Sequence, residues 1–321
     1  MKYSRIAGTG SFLPARVVTN HDIAKRVETT HEWIVARTGI ESRHVAGEDE
    51  KTSDLALQAS RRAMEAAGIT ADDIDLIVLA TTTADMQLPS TAALLQAKLG
   101  VRPGAAAFDV QAVCTGFMYA ITTADALIAR GLFKCALVIG AETLTRFLNW
   151  DDRNSCILFG DGAGAAILKG ADEPGILSSH LHADGNHSHI LRLTGTFAGG
   201  KISNNPFVEL DGQAVYKFAV RVLEDCAREA LAHNGLRIDQ LDWLVPHQAN
   251  LRIISAAAER LGMPMERVVT TVQKHGNTSA ASAILALDEA VRDGRIKAGQ
   301  LVLLQGVGGG MTWGSVLVRW G

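Results

Sequence analysis

Four cysteines stand at 114, 135, 156 and 226, with no pair at metal or redox spacing. Cys135, Cys156 and Cys226 fall within apolar strands or a helix face and read as packing residues. Cys114 differs: in VQAVCTGFMYA (110–120) it follows a short strand and opens a helix. A helix N-terminus offers free N–H groups and partial positive charge, so a thiol there is expected to ionise more readily and act as a nucleophile. His247, in PHQAN (246–250), ends a strand, and Asn277, in HGNTS (275–279), precedes another helix. Alone, each has a plain reading: a buried small residue, an edge histidine, a helix cap. Together, Cys, His and Asn form a constellation stronger than its parts, centred on a cysteine nucleophile. The glycine-rich stretch 306–314 lacks the P-loop pattern and leads into a strand, so its N–H groups suit an oxyanion better than a phosphate. Four histidines lie between 180 and 189, but their irregular spacing and the lack of a carboxylate set argue against a metal site.

Positioning such distant residues requires a layered frame. Helical spacing over 53–68, 90–100 and 115–130 alternates with apolar strands at 75–82, 105–110, 135–142 and 160–168. The second half repeats the order: helices at 214–235, 250–262 and 278–293, with strands at 241–246, 267–272, 300–305 and 314–320. Helix-ending glycines recur at nearly constant separation: Gly68 with Gly235, Gly100 with Gly262, Gly131 with Gly294. An internal duplication is expected, with halves 1–171 and 172–321 and the stretch 169–212 as connector and surface excursion. Aligned at a separation of 163, Cys114 falls opposite Asn277. All three candidates then meet at the C-terminal ends of strands, where open α/β sheets build their sites.

Composition agrees with that class and excludes others. The 321 residues are 47% hydrophobic and 20% charged, with 31 glycines and mean hydropathy +0.12. This is a globular α/β composition with ample core. Net charge is −3 with no basic stripe, which argues against nucleic acid. No apolar run approaches the ~20 residues of a membrane span. The N-terminus has no secretory h-region and the cysteines form no disulfide framework, so a cytoplasmic protein is expected.

The segments 6–20, 33–40, 107–117, 160–168, 243–253, 275–282 and 308–315 together resemble β-ketoacyl-acyl-carrier-protein synthase III, the condensing enzymes that start bacterial type II fatty-acid synthesis. The resemblance spans essentially the whole chain, and the pairing of PHQAN with HGNTSA is specific within the thiolase-like superfamily. It implies a duplicated αβαβα fold with mixed sheets around buried helices. It implies that Cys114 takes an acyl group from a short acyl-CoA. His247 and Asn277 would stabilise the enolate formed as malonyl-acyl carrier protein loses CO2, and the N–H groups of Cys114 and Gly309 would form an oxyanion hole. No metal or redox cofactor is implied.

The resemblance also places Trp33 and Arg153 around the CoA adenine, with Thr29 and Arg37 nearby. Leu144 and Phe159 would line the acyl pocket, joined by Leu88 from the partner of a homodimer. Lys217, Gln248 and Arg252 would receive the carrier protein. Thr115, Asn154 and Glu259 depart from common family residues, and Glu259 weakens the basic character expected of a carrier-docking face. Transfer to a different acceptor in a specialised pathway, an inactive acyl-CoA-binding scaffold and a cysteine hydrolase are the alternatives.

Overall fold

The computed structural model describes residues 2–321. Two mixed sheets form its frame. The first has the order Tyr3–Phe12, Gly162–Ala171, Cys135–Glu142, Leu76–Ala80, Ala106–Val110. Its last three strands are parallel, and Gly162–Ala171 runs antiparallel to both its neighbours. The second has the order Trp243–Pro246, Leu301–Gly308, Thr312–Arg319, Ile176–Ala183, and only its first pair is parallel.

Two helices lie between the sheets. Gly116–Ala129 and Ser282–Arg292 share one apolar core with Leu76, Val78, Val138 and Leu168 of the first sheet and Val245, Val302, Leu304 and Val316 of the second. Being covered on both sides explains the nearly continuous burial of Ser282–Arg292. Thr52–Ala67 and Thr91–Leu99 cover the outer face of the first sheet, and Gly212–His233 and Leu251–Leu261 cover that of the second. The layers therefore run α-β-α-β-α. Strands buried on both faces read as unbroken apolar runs, which is why LIVLA at 76–80 shows no alternation.

Each buried helix is entered through the same backbone turn. Val113–Thr115 is a 3-10 turn leading into a helix at Gly116; Ser279–Ala281 is a 3-10 turn leading into a helix at Ser282. Each begins with a residue in left-handed geometry, Val113 at φ 50° and Ser279 at φ 49°. The structural equivalent of Cys114 is therefore Ala280, not Asn277, and the sequence separation here is 166. The turns pack reciprocally onto the opposite half. A Cβ on Gly140 would lie 2.3 Å from the Ala280 carbonyl oxygen, and one on Gly306 would lie 3.0 Å from the Thr115 Cα.

Two local expectations differ. Residues 267–272 form no ladder: a single parallel bridge joins Val268 to Leu244, and the chain turns into a short helix at Val272–His275. The first strand, Tyr3–Phe12, is hidden in the sequence by its glycines. Gly8 and Gly10 allow it to lie directly on helix Thr52–Ala67, where a Cβ would approach that helix's backbone to 2.5 and 2.3 Å.

Candidate active site

The turn at Val113–Thr115 holds Cys114 at the entrance of a buried helix, with only 5% of its surface exposed. Left-handed geometry at a β-branched residue costs about 1–3 kcal/mol, so Val113 carries strain immediately before the sulfur. Burial opposes ionisation of the thiol. It pushes the thiol up to about 12, and the charge of Glu142 adds to the shift while the Ser279 hydroxyl opposes it. Desolvation thus works against the ready ionisation expected of a thiol at a helix N-terminus.

His247 follows strand Trp243–Pro246 and is 2% exposed. Burial lowers its pKa to about 3, so the ring is neutral at ordinary pH. The Gln248 N–H donates to Ser282 Oγ (3.1 Å), and Ser282 Oγ lies 2.5 Å from His247 Nδ1. Among the described residues Ser282 Oγ has no other acceptor, so its proton points to Nδ1 and the ring proton rests on Nε2. Asn277 is oriented in a similar way. The Ser279 N–H donates to Asn277 Oδ1 at 2.9 Å, which turns the Nδ2 amino group away as a free donor. Two neutral N–H donors are therefore fixed by one turn, and both belong to residues that line a single cavity.

That cavity joins the three residues separated in sequence. Cys114, His247, Asn277, Phe159 and Gly308 line a narrow space of about 70 Å³. Cys114, Phe159, Leu144 and Gly309 also line an adjoining cavity of about 640 Å³, walled by Thr81, Met86, Phe147, Leu193 and Val208. Phe159 bridges to Asn277 backbone to backbone, which ties the acyl-side wall to the polar side. A Cβ on Gly308 would sit 2.6 Å from the Cys114 nitrogen, so the glycine permits the second half's hairpin to approach the cysteine's backbone.

The remaining predicted residues divide. Trp33 carries the guanidinium of Arg37 at 4.4 Å and that of Arg153 at 4.6 Å from its ring centre. Arg153 thus lies directly on the indole with no gap for a purine, and a nucleotide base would enter by displacing it. Thr29 Oγ1 is buried without a partner beside this group, on the chain whose Glu28 carbonyl accepts from Arg153 (2.9 Å). Leu88 is 81% exposed and lines neither cavity of its own chain. Lys217 and Arg252 are exposed, with Arg252 over the Tyr216 ring at 5.7 Å. Gln248 is corrected: it is buried, its amide donates to the carbonyls of Pro246 and Val269, and its oxygen accepts from Thr271 and Val272. It braces the loop after His247 and presents nothing to a docking partner.

In the histidine-rich stretch, His180 and His182 face Glu229 and His187 faces Asp184. Sequence reasoning missed Ser279, Ser282 and Glu142. The two serines were visible in HGNTSAAS only as helix formers, and Glu142 only as an acid ending an apolar strand.

The family described as 3-oxoacyl-[acyl-carrier-protein (ACP)] synthase III matches residues 108–185, and the C-terminal portion of that family matches residues 231–320. The β-ketoacyl-[acyl-carrier-protein] synthase III of Neisseria meningitidis serogroup C is 56% identical over 320 residues, covering 100% of both chains. Among solved structures, 3-oxoacyl-[acyl-carrier-protein] synthase III of Aquifex aeolicus VF5 aligns with a TM-score of 0.93 and 42% identity, covering 99% of this chain and 100% of that one. The priming β-ketosynthase of the R1128 polyketide pathway aligns at 0.94 with 36% identity, covering 99% and 96%. By full-length identity and by fold, the chain belongs to the β-ketoacyl-acyl-carrier-protein synthase III family.

Proposed function

We propose that this enzyme condenses a short acyl-CoA with malonyl-acyl carrier protein, releasing CoA and CO2 and initiating fatty-acid synthesis. The observation that carries the reading is the pair of fixed neutral donors, His247 Nε2–H and Asn277 Nδ2–H, on a cavity shared with a buried cysteine. Cys114 attacks the acyl-CoA thioester, and the N–H groups of Cys114 and Gly309 receive the oxyanion. Malonyl-acyl carrier protein then places its thioester oxygen against His247 and Asn277. Those two donors stabilise the enolate as the carboxylate leaves as CO2, and the enolate carbon attacks acyl-Cys114. A neutral histidine suits this role, because hydrogen bonding to an enolate needs a donor and not a strong acid. Decarboxylation generates the carbanion, so neither a metal nor a redox cofactor takes part.

Leu144 and Phe159 flank the acyl chain, and Leu88 completes the pocket of a partner in a homodimer, which accounts for its exposure. Trp33, Arg37, Arg153 and Thr29 bind the CoA nucleotide. Lys217 and Arg252 receive the acidic carrier. The halves 1–171 and 172–321 are duplicates that contribute the nucleophile and the two donors respectively, and the enzyme works in the cytoplasm. Mass spectrometry after incubation with acetyl-CoA tests the reading. One acyl adduct on Cys114, absent from Cys114→Ala, is expected, followed by turnover with malonyl-acyl carrier protein. An adduct on another cysteine, or turnover only with a CoA-linked malonyl donor, would overturn it.

A further inference from the structure

Arg43 is fully buried, and its guanidinium is satisfied by neutral acceptors instead of a carboxylate. Nη1 donates to the Val18 carbonyl (3.2 Å) and to Asn20 Oδ1 (2.9 Å), and Nη2 donates to the Ile157 carbonyl (2.7 Å). Nε has no partner. A buried cation held this way is a poor source of stability, because its desolvation is not offset by an opposite charge. What a planar fork with fixed donors does supply is register between the groups it joins.

The groups it joins belong to two separate pieces of the site. On one side, Val18 and Asn20 lead into the segment that carries Thr29, Trp33 and Arg37. Asn20 passes the restraint on: its Nδ2 donates to the Ile40 carbonyl (2.7 Å) at the far end of helix His31–Thr38. On the other side, Ile157 is the C-cap of the short helix Arg153–Cys156, and Phe159 follows two residues later. The Arg43 stem lies behind the same wall. A Cβ on Gly160, next to Phe159, would sit 3.0 Å from the Arg43 Cβ, and one on Gly276, next to Asn277, 3.1 Å from it.

Trp33 and Arg153 therefore face each other from chain segments 120 residues apart. Two further ties join these segments, Arg153 Nη1 to the Glu28 carbonyl (2.9 Å) and Arg26 to Asp151 (3.5 Å), and both are at the surface, where water competes. The apolar cluster of Val18, Ile34, Cys156 and Ile157 gives cohesion without direction. A base that enters between Trp33 and Arg153 must displace the Arg153 side chain, which breaks its bond to Glu28. The buried Arg43 fork is untouched by that movement and keeps the backbone of helix Arg153–Cys156 in place.

We infer that Arg43 is a positioning residue for acyl-CoA: its guanidinium holds the Trp33 and Arg153 sides of the nucleotide clamp in register with each other and with Phe159. The inference rests on the proposed nucleotide site. Acylation of Cys114 is measured with two donors, acetyl-CoA and acetyl-pantetheine, which has the same thioester without the nucleotide. Arg43→Lys keeps the stem and the charge but loses the fork. Its preference for acetyl-CoA should fall about tenfold, while acylation by acetyl-pantetheine stays within about threefold of the unaltered protein. Asn20→Ala cuts the same link from the other side, should shift the preference in the same direction, and serves if Arg43→Lys does not fold. In an Arg153→Ala background, where one side of the clamp is gone, Arg43→Lys should have little further effect on the preference. An equal loss with both donors, an unchanged preference in folded Arg43→Lys or Asn20→Ala, or an undiminished effect in Arg153→Ala would overturn the inference. If the unaltered protein itself uses both donors equally well, the nucleotide site fails and the inference with it; if it prefers acetyl-CoA and the variants keep that preference, only the inference fails.

Discussion

The two turns that open the buried helices share a backbone but not a chemistry. At Val113–Thr115 the middle residue is Cys114, and the hairpin glycine Gly308 approaches its nitrogen. At Ser279–Ala281 the middle residue is Ala280, packed against Gly140, and the work is done by flanking residues. Ser279 orients Asn277 and touches Glu142, and Ser282 sets the proton on His247. One turn carries the cysteine, while its structural equivalent orients two donors that line the same cavity. Under the proposed function, the same backbone turn serves covalent catalysis in one half and electrostatic catalysis in the other.

Separate losses at the two turns would sharpen that division. Asn277→Ala should lower malonyl-acyl carrier protein decarboxylation by about 10²–10³-fold, the effect of removing one oxyanion donor, while acylation of Cys114 by acetyl-CoA persists. Equal loss of both half-reactions in rapid-quench measurements would break the comparison. The glycine seats test whether the packing is as symmetric as the backbone. Gly140→Ala forces a Cβ to 2.3 Å of the Ala280 carbonyl and should cost about 3 kcal/mol. Gly306→Ala meets the Thr115 Cα at 3.0 Å and should cost about 1 kcal/mol. Denaturant midpoints compare them, and equal costs would show that the two seats are equivalent.

An effect that appears only on acidification concerns His275, two residues before Asn277. Burial lowers its pKa to about 3, as it does for His247. Below about pH 6.5 the unfolded chain binds protons that the folded rings do not. The stability of the neutral rings is thus complete above that pH and is lost as pH falls toward 3. Buried Glu142 and Asp161 have raised pKa values, so their contributions have the opposite sign. The difference between His275→Gln and the unaltered protein isolates the histidine: the variant should lose up to about 1.4 kcal/mol per pH unit less between pH 6 and 4.5. Identical slopes in urea titrations would show that His275 is not held neutral.

Much of this was legible in the chain. Alternating helical and strand patterns with repeated glycine stops specified an α/β protein with a recurring order, because both signals are local. Cys114, His247 and Asn277 were legible from residue type and from their places at element ends. The register of the repeat was not: glycine stops gave a separation of 163, whereas the turns themselves give 166, because loop lengths differ between the halves. The resemblance placed Gln248 on the carrier-docking face, yet it is buried and makes four hydrogen bonds to the loops at 246 and 269–272.

The sequence by itself determined the residue types, the elements and the strained positions where side chains could be presented. Only the tertiary structure decided the charge states. Cys114 is a thiol and His247 is neutral because five layers close over them and remove water. Asn277 and His247 present donors because hydroxyls and N–H groups on one turn claim their other atoms. Glu142 meets the Ser279 hydroxyl although 137 residues separate the two. Desolvation and hydrogen-bond partnering are properties of packed neighbours, and neighbours distant in sequence are fixed only when the sheets and buried helices assemble.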